Sequence, residues 1–233
     1  MIQIPPLLET FDTLAIADIN KKAEETVLTR ILHRCSSLHA QLLAWYEVLS
    51  EQIPGQLYSS SPSKAHSPAD LFGTRIFPLA FEFPSLNIAQ LLLLYWSTLI
   101  VLYRTMQDID KREQKTRNET DDAEHPPRLL LQYSASDSDP TFTQHFNPSC
   151  PSTNHVALLA KKICQSFEYC YKSTNGTISV QYTVFPRWVV QEFYASRPEY
   201  DRQLAWCEEV HNMTAPGSRF DLGFTKFGNL NEV

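Results

Sequence analysis

At 233 residues, with 43 % hydrophobic and 20 % charged residues, the chain has the length and composition to bury a core of its own. Its net charge of −6 excludes a globally basic protein that coats nucleic acid. Only six glycines stand against fifteen prolines, which excludes glycine-rich phosphate cradles and favours helices joined by stiff, proline-punctuated loops.

Along the chain, residues 7–20 carry weak helical patterning. Glu24 to Gln52 is the clearest helix. Val27, Leu28, Ile31, Leu32, Cys35, Leu38, Leu42, Trp45, Tyr46 and Leu49 recur at three- and four-residue steps, and Pro54-Gly55 stops it. Ser59 to Pro68, rich in Ser and Pro, reads as a flexible loop. Phe77 to Phe83 is an aromatic segment that forms either a short strand or an extended lead-in. Ser85 then caps the next helix, since its hydroxyl can accept a first-turn amide. That helix spans about 85–106 and contains the 16-residue run IAQLLLLYWSTLIVLY, from Ile88 to Tyr103. A membrane span needs about 20 predominantly apolar residues, so the run is assigned to a buried central helix.

Asp108 to Ser152 mixes charge, the pair Pro126-Pro127 and the polar run SASDSDP, and reads as a long, partly disordered linker inside the domain. Within it, Lys111, Arg112, Lys115 and Arg117 are diluted by acids, so the basic cluster is read as solvated. A helical stripe returns with Val156, Leu159, Ala160, Ile163, Cys164, Phe167, Cys170 and Tyr171, and Asn175-Gly176 turns the chain. Phe185-Pro186 opens a helix to about Ser196, and Pro198 opens the last one, which ends at Pro216-Gly217. The fold class that follows is all-α: one domain over residues 1–233, built around the central helix and interrupted by the linker at about 108–152.

Chemistry-bearing residues do not assemble into a recognisable constellation. The five cysteines, Cys35, Cys150, Cys164, Cys170 and Cys207, include no CxxC pair. Cys164 and Cys170 are six apart, about 120° around a helix, so they neither bridge nor share a metal, and all five are read as small buried hydrophobes in a reducing compartment. His33 and His39 diverge for the same reason, while His125, His145 and His155 lie in or beside the linker. Glu168, Glu192, Glu208 and Glu209 sit on helices as surface acids, with no pair singled out for acid–base work. Tyr95, Trp96, Tyr103, Trp188 and Trp206 are read as core, with the lining of a hydrophobic ligand pocket as the alternative. No catalytic, cofactor-binding or metal-binding residue is therefore assigned, and no cofactor is expected. The opening Met1–Pro6 shows no signal-peptide pattern.

Several stretches, in order, resemble the helical regulatory region of fungal zinc-cluster transcription factors. LHAQLLAWYEVL, Leu38 to Leu49, is similar to its early Leu/Trp helix. FPLAFEFPSLNIAQLLLLYWSTLIVLY, Phe77 to Tyr103, is similar to its aromatic segment followed by Phe-Pro-Ser-Leu and a Leu-rich helix. Ile163, Cys164, Ser166, Glu168 and Tyr169 resemble its Ile-Cys-x-Ser-x-Glu-Tyr helix, and FPRWVVQEFY, Phe185 to Tyr194, with the helix around Trp206, resembles its closing elements. The resemblance covers about residues 38–212. It implies a regulatory or interaction module for transcriptional control of metabolic genes, nuclear or cytoplasmic, working through a protein partner or self-association and leaving room for a small hydrophobic effector. It does not extend to the six-cysteine zinc cluster, for which the number and spacing of the cysteines here do not suffice, so no DNA contact and no membrane role is expected of this chain. The alternative is a helical enzyme acting on a hydrophobic small molecule. Glu168 discriminates: a histidine partner in a closed pocket favours the enzyme, whereas exposure or pairing with Arg187 or Arg202 favours the module.

The charge balance predicts that the purified chain gives no sequence-selective, salt-sensitive shift of duplex DNA in a gel, because few counterions would be released on contact. A selective shift that weakens steeply with salt would contradict this.

Overall fold

The computed structural model describes residues 21–65, 70, 74–118 and 153–214. The expectations for residues 7–20, for 119–152 and for the Pro216-Gly217 stop lie outside the described residues, as do Cys150, His125 and His145. Among the described residues there are five α-helices and a two-stranded ribbon, so the protein is mostly α-helical. In chain order they are α1 (Lys21–Gln52), β1 (Ser59–Pro62), β2 (Leu79–Glu82), α2 (Leu86–Asn118), α3 (Thr153–Cys170), α4 (Gly176–Ala195) and α5 (Asp201–Thr214). Short 3-10 turns at Ser173–Asn175 and Pro198–Tyr200 lead into α4 and α5. Two compact units contain these elements, one within Met1–Pro54 and Thr98–Leu159, the other within Gly55–Ser97 and Ala160–Val233.

In the first unit, α1 buries the stripe read from its sequence, Leu28, Ile31, Cys35, Leu38 and Leu49, while His33, Arg34 and Glu47 face solvent. Trp45 departs from the stripe and is exposed. Gly55 takes a positive φ of 87°, a left-handed conformation that glycine reaches without a Cβ clash, so Pro54-Gly55 does end the helix run. His39 is buried and lies 2.9 Å from Tyr103 Oη through Nε2. Burial lowers the His39 imidazole below its ordinary value and pushes the Tyr103 phenol up to about 12. His33, six residues away, is exposed, which is the divergence expected of that spacing.

Helix α2 is longer than its apolar run suggests. Residues 108–118, read as the start of a disordered linker, continue the helix to Asn118. Lys, Arg, Glu and Gln are good helix formers, no Gly or Pro interrupts them, Ile109 is fully buried, and Lys111 pairs with Asp108 at 3.0 Å one turn away. Leu86–Gln114 is long and apolar enough to cross a membrane, so the short-run argument fails. What marks a core helix instead is burial. Leu92, Leu93 and Ile100 are fully buried, Tyr95, Trp96 and Leu99 nearly so, and 67 % of the most apolar window is covered by protein. Its polar side chains turn back on the backbone, Ser97 Oγ donating to the Leu93 carbonyl at 2.7 Å and Thr105 Oγ1 to the Val101 carbonyl at 3.0 Å. Ser85 Oγ accepts from the Ile88 amide at 3.4 Å, the cap read from the sequence.

In the second unit, the Ser-rich stretch is not all loop. Ser59–Pro62 pairs antiparallel with Leu79–Glu82, in the register Ser59↔Glu82 and Pro62↔Leu79. Backbone pairing is indifferent to the serine side chains, of which Ser59 and Ser60 are exposed and Ser61 half-buried. Helix α4 also starts earlier than proline punctuation suggests, at Gly176 (φ 69°), and carries Pro186 inside it. An internal proline removes the donor for the carbonyl one turn back and costs about 3 kcal/mol. Here it lies on the buried face with Ser179, Thr183, Val189, Val190 and Phe193, whose packing offsets that cost. Trp188, read as core, is 53 % exposed; Trp206 is buried, its ring 4.6 Å from Phe77.

Trp96 is 1 % exposed and meets Tyr58 and Phe81 at ring distances of 5.6 and 6.2 Å. Trp96→Ala should therefore lose about 3–5 kcal/mol, a large share of a domain stability of about 5–15 kcal/mol. Urea unfolding followed by circular dichroism measures it; a midpoint unchanged from wild type would show that this packing contributes little.

Candidate functional site

Polar chemistry in the second unit collects along α3, where it faces the ribbon. Lys162 lies in the first turn after the helix enters this unit at Ala160. Its Nζ donates to Tyr58 Oη at 3.1 Å and sits 5.6 Å from the Tyr58 ring centre and 5.7 Å from that of Trp96. Tyr58 in turn packs on Phe81 at 4.5 Å and Phe83 at 6.1 Å. Burial brings the Lys162 ammonium down from the usual 10.5 to about 8, and the same desolvation raises the Tyr58 phenol. The result is a half-buried amine beside aromatic faces and a hydroxyl, able to act as a cation over rings or, once deprotonated, as a nucleophile.

Six residues further, Glu168 reaches the segment that follows β1. Its carboxylate accepts from Ser63 Oγ at 2.8 Å and from the backbone amides of Lys64 at 2.9 Å and Ala65 at 3.3 Å. These partners are neither the histidine of the enzyme expectation nor the arginines of the module expectation. Glu168 instead closes a loop end by satisfying amides that strand pairing leaves over. Beyond the helix end, Lys172 pairs with Glu82 on β2, its Nζ also 5.1 Å from the Tyr169 ring centre, and Tyr169 packs on Phe83 at 5.1 Å. Burial, then Cys170 and Glu82, raise the Tyr169 phenol.

Helix α3 also carries two buried thiols, Cys164 and Cys170. Cys164 Sγ is 3.4 Å from Cys207 Sγ on α5 and 4.0 Å from Tyr194 Oη on α4. The contact lies between helices, as the Cys164–Cys170 angle requires. Cys35, Cys164, Cys170 and Cys207 are all buried free thiols, and burial pushes Cys35 up to about 11 and Cys170 to about 12. Tyr171 Oη lies 3.0 Å from Thr183 Oγ1, joining the end of α3 to α4. Glu192 and Glu208 are exposed and Glu209 is half-buried. Among the described residues, no three His, Cys, Asp or Glu side chains gather as metal ligands would.

An exposed apolar face lies on α4. Ile178, Phe185 and Trp188 on α4 are 52, 42 and 53 % exposed, and the Phe185 and Trp188 rings stack with centres 6.1 Å apart. Steps of seven and three residues put them on one side of the helix. Neither Lys162 nor this face was singled out from sequence as a site. Lys162 is an ordinary lysine on an amphipathic stripe until Tyr58, 104 residues earlier, is folded beside it. No family model, no curated protein and no solved structure matches the chain.

Loss of the Glu168 carboxylate leaves the Ser63 hydroxyl and the Lys64 and Ala65 amides without this acceptor. Glu168→Ala should cost about 2–3 kcal/mol, and Glu168→Gln, which keeps one acceptor oxygen, about half of that. Urea denaturation of both variants measures the pair. Equal stability of all three proteins would show that water replaces the carboxylate at no cost.

Proposed function

We propose that the chain is a helical regulatory and interaction module of the fungal zinc-cluster transcription-factor type, acting in transcriptional control of a metabolic gene set in the nucleus or cytoplasm. One observation carries the reading. The stretches that resemble that region, far apart in sequence, converge within the second unit. Phe83 of the aromatic segment packs on Tyr169 of the Ile-Cys-x-Ser-x-Glu-Tyr helix, and Phe77 packs on Trp206 of the closing helix. Cys164 meets both Tyr194 and Cys207. The stretches that the resemblance covers thus pack on one another, which supports a shared architecture. In the first unit, Leu38–Leu49 and the end of the Leu-rich run meet in the same way, through His39 and Tyr103.

The exposed Phe185–Trp188 face supports action through surfaces, since a stacked aromatic pair in water is an affordable feature only where something covers it. The rival reading, an enzyme for a hydrophobic small molecule, draws support from one feature, the Lys162 amine among aromatic rings.

Fusing the full chain to an unrelated DNA-binding domain tests the proposal. A reporter under that domain's site should change severalfold relative to the domain alone. Phe185→Ala with Trp188→Ala should abolish the change while leaving thermal stability within about 0.5 kcal/mol per exposed site. A reporter indifferent to the fused chain in a fungal host would remove the regulatory reading.

A further inference from the structure

We infer that the exposed face of α4 is the contact of a homodimer, in which the α4 helices of two copies run antiparallel about a two-fold axis between Phe185 and Trp188. A second copy can cover this face whatever the chain regulates, so the dimer and the regulatory reading fail separately.

The exposed side chains form a seam along the helix. Ile178, Gln181, Phe185, Trp188, Glu192 and Ala195 are all exposed, and they recur at alternating steps of three and four residues. That is the spacing by which two helices pack along their length. The other side of α4, through Ser179, Thr183, Pro186, Val190 and Phe193, is already buried within its own unit. Four of the six seam residues are apolar, whereas the solvated face of a surface helix carries charged and polar ones. The Phe185 and Trp188 rings stack at the middle of the seam, with planes 28° apart.

A second copy is the occupant because the seam is its own complement. In a two-fold contact each residue meets a partner position, and that position meets it in return. With the axis between Phe185 and Trp188, an antiparallel copy sets Phe185 against Trp188, Gln181 against Glu192 and Ile178 against Ala195, each pair occurring twice. Every pair matches. Ring meets ring, the Gln181 amide donates to the Glu192 carboxylate, and a large aliphatic side chain lies over a small one. A parallel copy would set each residue on itself and bring the two Glu192 carboxylates together, which like charge disfavours. The size of the contact sets its strength. From Ile178 to Ala195 the seam runs about 26 Å at about 1.5 Å per residue, and two helix faces of that length bury an area at the low end of specific interfaces, below about 1,200 Å². The dimer is therefore a weak one that dissociates at micromolar concentrations.

Sedimentation velocity of the intact chain at low salt, from about 1 to about 500 µM, tests this. The wild type should shift from monomer to dimer across the range. Trp188→Ala should raise the dissociation constant at least about tenfold with an unchanged circular dichroism spectrum. The register is read by charge. Gln181→Glu places like charges across the axis and should weaken the dimer severalfold, and adding Glu192→Lys to that variant should restore it. Positions 181 and 192 are eleven residues apart on one helix, beyond the reach of a pair within one copy, so the recovery reports contact between copies. A monomer at every concentration, a dimer indifferent to Trp188→Ala, or no recovery in the Gln181→Glu, Glu192→Lys double variant overturns the inference.

Discussion

A two-stranded ribbon with four residues per strand is not stable by itself in water, so β1–β2 has to be held by something else. In this protein α3 holds it, through three charged side chains spaced along its length and just past its end. Lys162 takes the hydroxyl of Tyr58 immediately before β1, Glu168 takes the amides immediately after β1, and Lys172 takes Glu82 at the end of β2. Both ends of one strand and one end of the other are thereby fixed. Tyr58 belongs to no helix or strand of its own, so this tie and its packing on Phe81 fix its ring.

The three ties are not equivalent in energy. Lys172 and Glu82 are each more than a third exposed, so solvent screens the pair and its contribution is at most about 1 kcal/mol. Glu168 works differently. It does not neutralise a cation but accepts from the Ser63 hydroxyl and the Ala65 amide, both on buried residues, and from the amide of the exposed Lys64. Lys162 is the reverse case again, since its burial disfavours its own charge. One helix therefore carries a tie that stabilises, a tie that is nearly neutral and a tie whose charge burial disfavours. Where a local choice conflicts with the surrounding packing, function is the usual reason.

Sequence periodicity made the helices legible because burial on one face leaves a repeating mark. The stripe Leu28, Ile31, Cys35, Leu38 was visible in advance, as was the Leu-rich core of α2 and the stripe of α3. The errors share a cause: each came from reading composition where tertiary packing decides. Asp108–Asn118 is charged and still helical because it continues an anchored helix, and nucleation, the costly step, has already been met upstream. Ser59–Pro62 is serine-rich and still a strand because Leu79–Glu82 supplies the partner. Pro186 sits inside α4 because its ring is buried on the face that packs. Trp188 fits a helical pattern as well as Trp206 does, but only one of them has a Phe77 opposite. The site was less legible than the fold, since Tyr58 and Lys162 are 104 residues apart and neither belongs to a spacing motif.

The thiols and the amine of α3 show why nearness alone does not make a reactive group. Cys164 and Lys162 are neighbours on the same helix, and both have a tyrosine hydroxyl close by. Burial acts on them with opposite chemical effect. For a thiol the reactive form is the anion, which desolvation disfavours, so Cys170 and Cys207 are pushed upward and made inert. For an amine the reactive form is the neutral one, which the same desolvation favours. Burial therefore disfavours the reactive form of Cys170 and Cys207 and the charged form of Lys162.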